Sequence, residues 1–117
     1  MRPQPAEGLH VPTPSMTTFM GFARNSGPAG IRNHVLVIAG ELSANPWASE
    51  TSARVEGCWA LTHKHGMGNA GPDRELFFRI LSNITTHPNV AGTVLVASGD
   101  EDYDPHDLAR HTAAAGR

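Results

Sequence analysis

The sequence is nearly empty of cysteine. Cys58 stands alone, so no internal disulfide can form, and beside Trp59 and Ala60 it reads as a buried, inert thiol rather than a nucleophile. Runs of basic residues are also missing: Lys and Arg are scattered and the formal net charge is −2, which leaves no electrostatic footprint for nucleic acid or an anionic membrane. No apolar stretch approaches the ~20 residues of a membrane-spanning helix. Nor does Met1 to Pro14 contain the positive start and apolar run of a secretory signal, so the expectation is a soluble, cytoplasmic protein. What remains is 39% apolar in 117 residues, enough for one core and one domain.

Prolines 3, 5, 12 and 14 mark residues 1–17 as a flexible Pro-rich leader, and residues 18–117 are expected to form a single α/β domain. Phe19 to Asn33 is rich in turn residues, with Gly21, Gly27, Pro28 and Gly30 between Arg24 and Arg32. His34 to Ala39 is a β-branched apolar run of the kind found in strands covered on both faces. A helix is predicted next, with Asn45 as its cap, Pro46 at its first position, a stripe of Trp47, Thr51 and Val55, and Gly57 as terminator. Cys58 to Thr62 is a second strand. Pro72 opens a second helix whose first turn carries Asp73 and Glu75 and whose buried face is expected to be Leu76, Phe77, Ile80, Leu81 and Ile84, ending before Pro88. Val90 to Ala97 is the third strand, and Asp104 with Pro105 begins a last helix through about Ala115. The βαβαβα alternation predicts a three-layer Rossmann-like domain on a small parallel sheet.

In such a sheet the segments that follow the strands gather at one edge, where these folds bind ligands. Those segments hold Glu41 and Ser43, then His63 and His65, then Asp100, Glu101 and Asp102. Histidines at i and i+2 in extended chain share a side, and a carboxylate from a neighbouring loop could complete a metal site from His63, His65, Asp100 and Glu101. Two plainer readings stand beside it: a surface His-x-His pair, and an acidic turn whose task is to cap the last helix. Arg24 and Arg32 suit a bidentate clamp on a ligand carboxylate, or equally a tether to loop carbonyls. Gly66 and Gly68 lie in a glycine-dense loop that lets backbone approach a ligand or turn tightly, though not with dinucleotide-fingerprint spacing. His87, at a helix end, reads as structural, and His106 and His111 carry no functional reading.

Four blocks in order carry a resemblance: Phe19-Met20-Gly21-Phe22-Ala23-Arg24, Gly30-Ile31-Arg32-Asn33-His34, Thr62-His63-Lys64-His65-Gly66-Met67-Gly68, and His87-Pro88-Asn89-Val90-Ala91-Gly92. Together they resemble the altronate dehydratase and D-galactarate dehydratase family, over residues 19 to about 101. The resemblance implies a second-domain module of a sugar-acid hydro-lyase using a divalent metal, Fe(II) or else Mn(II) or Mg(II). It implies His63 as ligand or base, with Arg24, Arg32, Asn33, Gly66, Gly68 and Asn89 framing an acidic substrate. Three positions where the family pattern has cysteine hold Ser43, Met67 and Asp100, and the family's other domains are not in this sequence. A small carboxylate or sugar acid is therefore the expected ligand. A larger family subunit or further copies of the chain are the expected partners. A non-catalytic carboxylate-binding or regulatory subunit, or a fragment without remaining function, are the alternatives.

Overall fold

The computed structural model describes residues 13, 15 and 18–117. The expected leader, with His10, lies almost wholly outside the described residues. β1 (His34–Ala39) is the central strand of a three-stranded parallel sheet ordered β2-β1-β3, with β2 at Cys58–Leu61 and β3 at Val90–Val96. Its alternating side chains feed two separate cores, as a strand covered on both faces must. Val37 and Ala39 pack with Ala44, Ala48, Cys58 and Val96 on one face. Ile38 packs with Phe77, Leu81 and Leu108 on the other.

Those cores are closed by α1 (Asn45–Ala53) on the first face and by α2 (Pro72–Thr85) and α3 (Pro105–Ala114) on the second. The layering follows from connectivity. The chain leaves β1 toward β2 through α1, then returns through α2 past β1 to β3, and right-handed crossovers in opposite directions put their helices on opposite faces. The result is the three-layer, Rossmann-like α/β arrangement that the alternation predicted. α2 and α3 are joined inside by the hydroxyls of Thr112 and Thr85, 2.9 Å apart.

Two details differ from the sequence reading. Asn45 does not cap α1: a 3-10 turn at Leu42–Ala44 runs straight into the helix, whose preceding residue Ala44 is already helical. The Trp47, Thr51 and Val55 stripe faces outward, with Trp47 53% exposed, because the competing small stripe of Ala44 and Ala48 lets the helix backbone settle directly on β1 and β2. On α2 the inward residues are Phe77, Leu81, Ser82 and Thr85, while Leu76 and Ile80 stay nearly half exposed. None of the helices described is long and apolar enough to cross a membrane.

Candidate functional site

Parallel strands give the domain two chemically different rims. At the amino ends, Arg24 donates from Nε to Pro88 O at 2.6 Å, from one terminal nitrogen to Asn33 Oδ1 at 2.9 Å, and from the other to Arg32 O at 3.0 Å. Asn89 Oδ1 accepts from the amides of Ile31 and Arg32, and Asn89 O accepts from His34 N. Arg32 spends one donor on Ile31 O and is otherwise exposed. Gly30 fits because a Cβ there would overlap the Pro88 carbonyl. This is a lock that fixes the segment before β1 against the turn before β3.

The residues expected to frame a substrate are divided between the two rims, with Gly66 and Gly68 at the carboxyl end. The six residues of β1 put Arg24, Arg32, Asn33 and Asn89 roughly 20 Å from the carboxyl rim, and Arg24 is the loop tether of the two roles weighed for it. Arg24→Lys keeps the charge but loses the fork, so it should cost about 1–2 kcal/mol in a denaturant melt; unchanged stability would refute the tether.

At the carboxyl rim the three post-strand segments interlock. Gly40 N donates to Val96 O at 2.8 Å, and the Tyr103 hydroxyl donates to Gly40 O at 2.8 Å. Gly66, at φ +92°, is pressed against Gly40 and Glu41, and its carbonyl accepts from Asp102 N at 2.8 Å. Asp102 Oδ2 in turn accepts from Asn69 N at 2.7 Å. Asn45, freed from capping, grips the backbone of His63 in both directions: its Nδ2 donates to His63 O at 2.7 Å and its Oδ1 accepts from His63 N at 3.1 Å.

His63 is therefore rigidly held, and both ring nitrogens are engaged. Nδ1 accepts from His65 N at 3.2 Å, which assigns the proton to Nε2, and Nε2 donates to Ala39 O at 2.7 Å. The ring also meets Phe77 edge-on at 4.9 Å. His65 is exposed and Asp100 is exposed. Glu101 spends both carboxylate oxygens on its own turn, accepting from Ser98 N at 2.7 Å and Gly99 N at 2.9 Å, and it lies so close over Gly40 that a Cβ there would come within 2.5 Å of it. Asp104 caps α3 by accepting from His106 N at 2.8 Å.

A divalent metal needs several free donors converging on one point. Among the described residues no three His, Cys, Asp or Glu side chains do so. The expected quartet of His63, His65, Asp100 and Glu101 is not gathered into a ligand set by the described residues of this chain, and both ring nitrogens of His63 are engaged within the fold.

The residue that sequence reasoning left out of its site is Glu41. It is fully buried, and its carboxylate accepts from Ser43 N at 2.7 Å and from the Ser43 hydroxyl. The Ser43 hydroxyl bond is the main cause holding its pKa below the usual carboxylate range; burial pushes the other way, and the Ser43 amide, the Ser98 side chain and the Ala44 amide add to the lowering. The cover is thin, at the rim of the sheet rather than in its interior, so burial loses to these donors. The available signal was position alone: an acid two residues past the end of a strand's apolar run.

A lowered folded pKa stabilises the native state above the ordinary value near 4.5 and loses that contribution as pH falls through the folded value. Glu41→Gln should thus flatten the acid limb of the stability profile below about pH 4.5 while leaving its shape at neutral pH unchanged. Parallel acid limbs in the two proteins would show that Glu41 is not the titrating group. Tyr103 is shifted the opposite way: burial, reinforced by Glu101, Asp102 and Glu41, raises its pKa, so it remains a hydroxyl donor to Gly40. Behind it a cavity of about 600 Å³ opens between α2 and α3, lined by Arg74, Glu75, Phe78, Asp104 and Asp107.

Comparison with known proteins agrees with the family resemblance. The family described as D-galactarate dehydratase/Altronate hydrolase, second domain, matches residues 21–117. The chain is similar to the (2R)-sulfolactate sulfo-lyase subunit beta of Chromohalobacter salexigens, 37% identical over 79 residues that cover 68% of this chain and 20% of the relative. It is also similar to the altronate dehydratase of Bacillus subtilis, 31% identical over 103 residues covering 80% of this chain and 20% of the relative. The chain thus spans about a fifth of the length of these curated relatives. No solved structure matches. With the family match covering most of the sequence, the chain belongs to the D-galactarate dehydratase/altronate hydrolase family and corresponds to its second domain.

Proposed function

We propose that this chain is a cytoplasmic sugar-acid hydro-lyase module, acting on the aldonate or aldarate class once a larger family subunit or another copy of itself completes the site. The family match over residues 21–117 carries the reading. The carboxyl rim supports it by supplying a rigid imidazole, His63, beside a loop whose glycines permit close approach. Dehydration of a sugar acid removes the proton beside the carboxylate and expels the neighbouring hydroxyl as water. For His63 to take that proton, the His65 amide has to leave Nδ1. The rim of this chain sets Glu41, Asp100, Glu101 and Asp102 against one exposed cation, Lys64, so Lys64 is the group of this chain that can meet a substrate carboxylate and any further positive charge has to come from the partner. Any Fe(II), Mn(II) or Mg(II) requires ligands from the partner as well, since the described residues do not converge on one.

The test is dehydration of altronate and galactarate, and desulfonation of sulfolactate, by the chain alone and co-purified with a longer family member, with each metal added in turn. Turnover that appears or rises with the partner supports the proposal, and silence in every combination contradicts it. A second reading is favoured by the committed nitrogens of His63: a non-catalytic subunit that steadies or regulates a complete enzyme. Under it, His63→Gln leaves the turnover of the complex unchanged; under the hydro-lyase reading it costs roughly 100-fold or more in kcat.

A further inference from the structure

A serine hydroxyl has one proton to give and two lone pairs to offer. In Ser43 the proton is already spent, on the Glu41 carboxylate beneath it. Glu41 is sealed from solvent whereas Ser43 is exposed, so the pair has a fixed polarity: the charge lies inward and the accepting side of Oγ faces out. Its position adds to this. With strand order β2-β1-β3, the segment after β1 leads to α1 on one face and the segment after β3 to α3 on the other, so the two part between the carboxyl ends of β1 and β3, the place where open sheets of this kind bind ligands. Glu41 and Ser43 directly follow β1, and Ser98, whose side chain also favours the ionised Glu41, directly follows β3.

The outward oxygen does not suit a carboxylate, because two acceptors would face each other above a buried negative charge. An ammonium is little favoured, because the Ser43 hydroxyl, the amides of Ser43 and Ala44 and the Ser98 side chain already take up the charge of Glu41. What it fits is a neutral donor. We propose that the Glu41–Ser43 pair is a hydroxyl-recognition site, with Ser43 Oγ accepting a hydrogen bond from an alcohol group of a polyhydroxylated ligand. The inference deepens the sugar-acid reading and rests on it for the choice of ligand class: Ser43 would select for the hydroxylated carbon chain, not for the acid groups.

The experiment is a titration of the isotopically labelled chain, followed by the amide resonances of Gly40 to Ala44, with four probes of similar length. Galactarate carries hydroxyls and carboxylates, galactitol only hydroxyls, adipate only carboxylates and putrescine only ammonium groups. Saturable shifts with galactarate and galactitol, and none with adipate or putrescine, are expected. Ser43→Ala should weaken galactitol binding by about tenfold or more, and Ser43→Thr, which keeps the hydroxyl, should restore it. Equal shifts from adipate or putrescine, an unaffected Ser43→Ala protein, or no shift from either polyol at roughly 100 mM would overturn the proposal. Turnover by the reconstituted enzyme without any polyol shift would sink this site and spare the hydro-lyase reading; polyol binding without turnover would do the reverse.

Discussion

Gly66→Ala is expected to lower stability by roughly 2–4 kcal/mol, because the substitution meets two penalties at once. The backbone at φ +92° lies where an L side chain is strained, and the added methyl would sit 2.5 Å from Gly40 O and 2.9 Å from the Cα of Glu41. Neither neighbour is a flexible side-chain end, so the loop itself has to move. If it moves, the Asp102 N to Gly66 O bond and the packing over Glu41 go with it, and the rim comes apart as a unit. Gly68→Ala is the informative control: its φ of +79° carries the same backbone strain, but nothing lies within 4 Å of the added carbon, so it should cost only about 1 kcal/mol. Equal losses in urea melts of the two variants would mean that the rim is not closely packed at Gly66.

The second large effect lies in the core under α2 and α3. Leu81 is 2% exposed and packs with Ile38, Phe77 and Leu108, so Leu81→Ala removes transfer energy and leaves a cavity shared by the sheet and both helices. A loss of about 2–5 kcal/mol is expected, which in a domain of this size lowers Tm on the order of 10–20 °C. Ile80→Ala, one residue away but 45% exposed, should change Tm by no more than a few degrees. Should the two variants melt alike, the inward face of α2 would not be the one described.

That contrast also marks how far the sequence could be read. The continuous apolar run of β1 and the Pro-opened helices determine layers and order, because a strand covered on both faces and a helix start each leave a local chemical signature. Helix rotation leaves a weaker one. On α1 two stripes compete, Trp47–Thr51–Val55 and Ala44–Ala48, and hydrophobicity alone favours the tryptophan side. Close approach of the helix to a sheet face made of Val37, Ala39 and Cys58 decides for alanine, and that face is assembled from residues distant in sequence.

The site shows the same division. Any parallel sheet brings the segments after its strands together, so the meeting of Ser43, His63 and Glu101 with their neighbours at one rim followed from topology. Arg24, Arg32, Asn33 and Asn89 belong to the same family blocks, yet the direction of the strands puts them at the other end, where Arg24 ties carbonyls and closes the fold. A motif shared by a family does not separate residues that bind from residues that brace. Glu41 passed unselected for the opposite reason: its importance comes from burial and from the donors around it, neither of which a lone acid after a glycine reveals.

The central claim is that ligand chemistry belongs to the carboxyl rim and that the arginine cluster at the amino rim is structural. Mapping galactarate-induced amide shifts over the whole labelled chain tests it most directly. The account predicts perturbation at residues 40–43, 63–68 and 98–103 with the amino rim silent; shifts centred on Arg24, Arg32, Asn33 and Asn89 instead would contradict it.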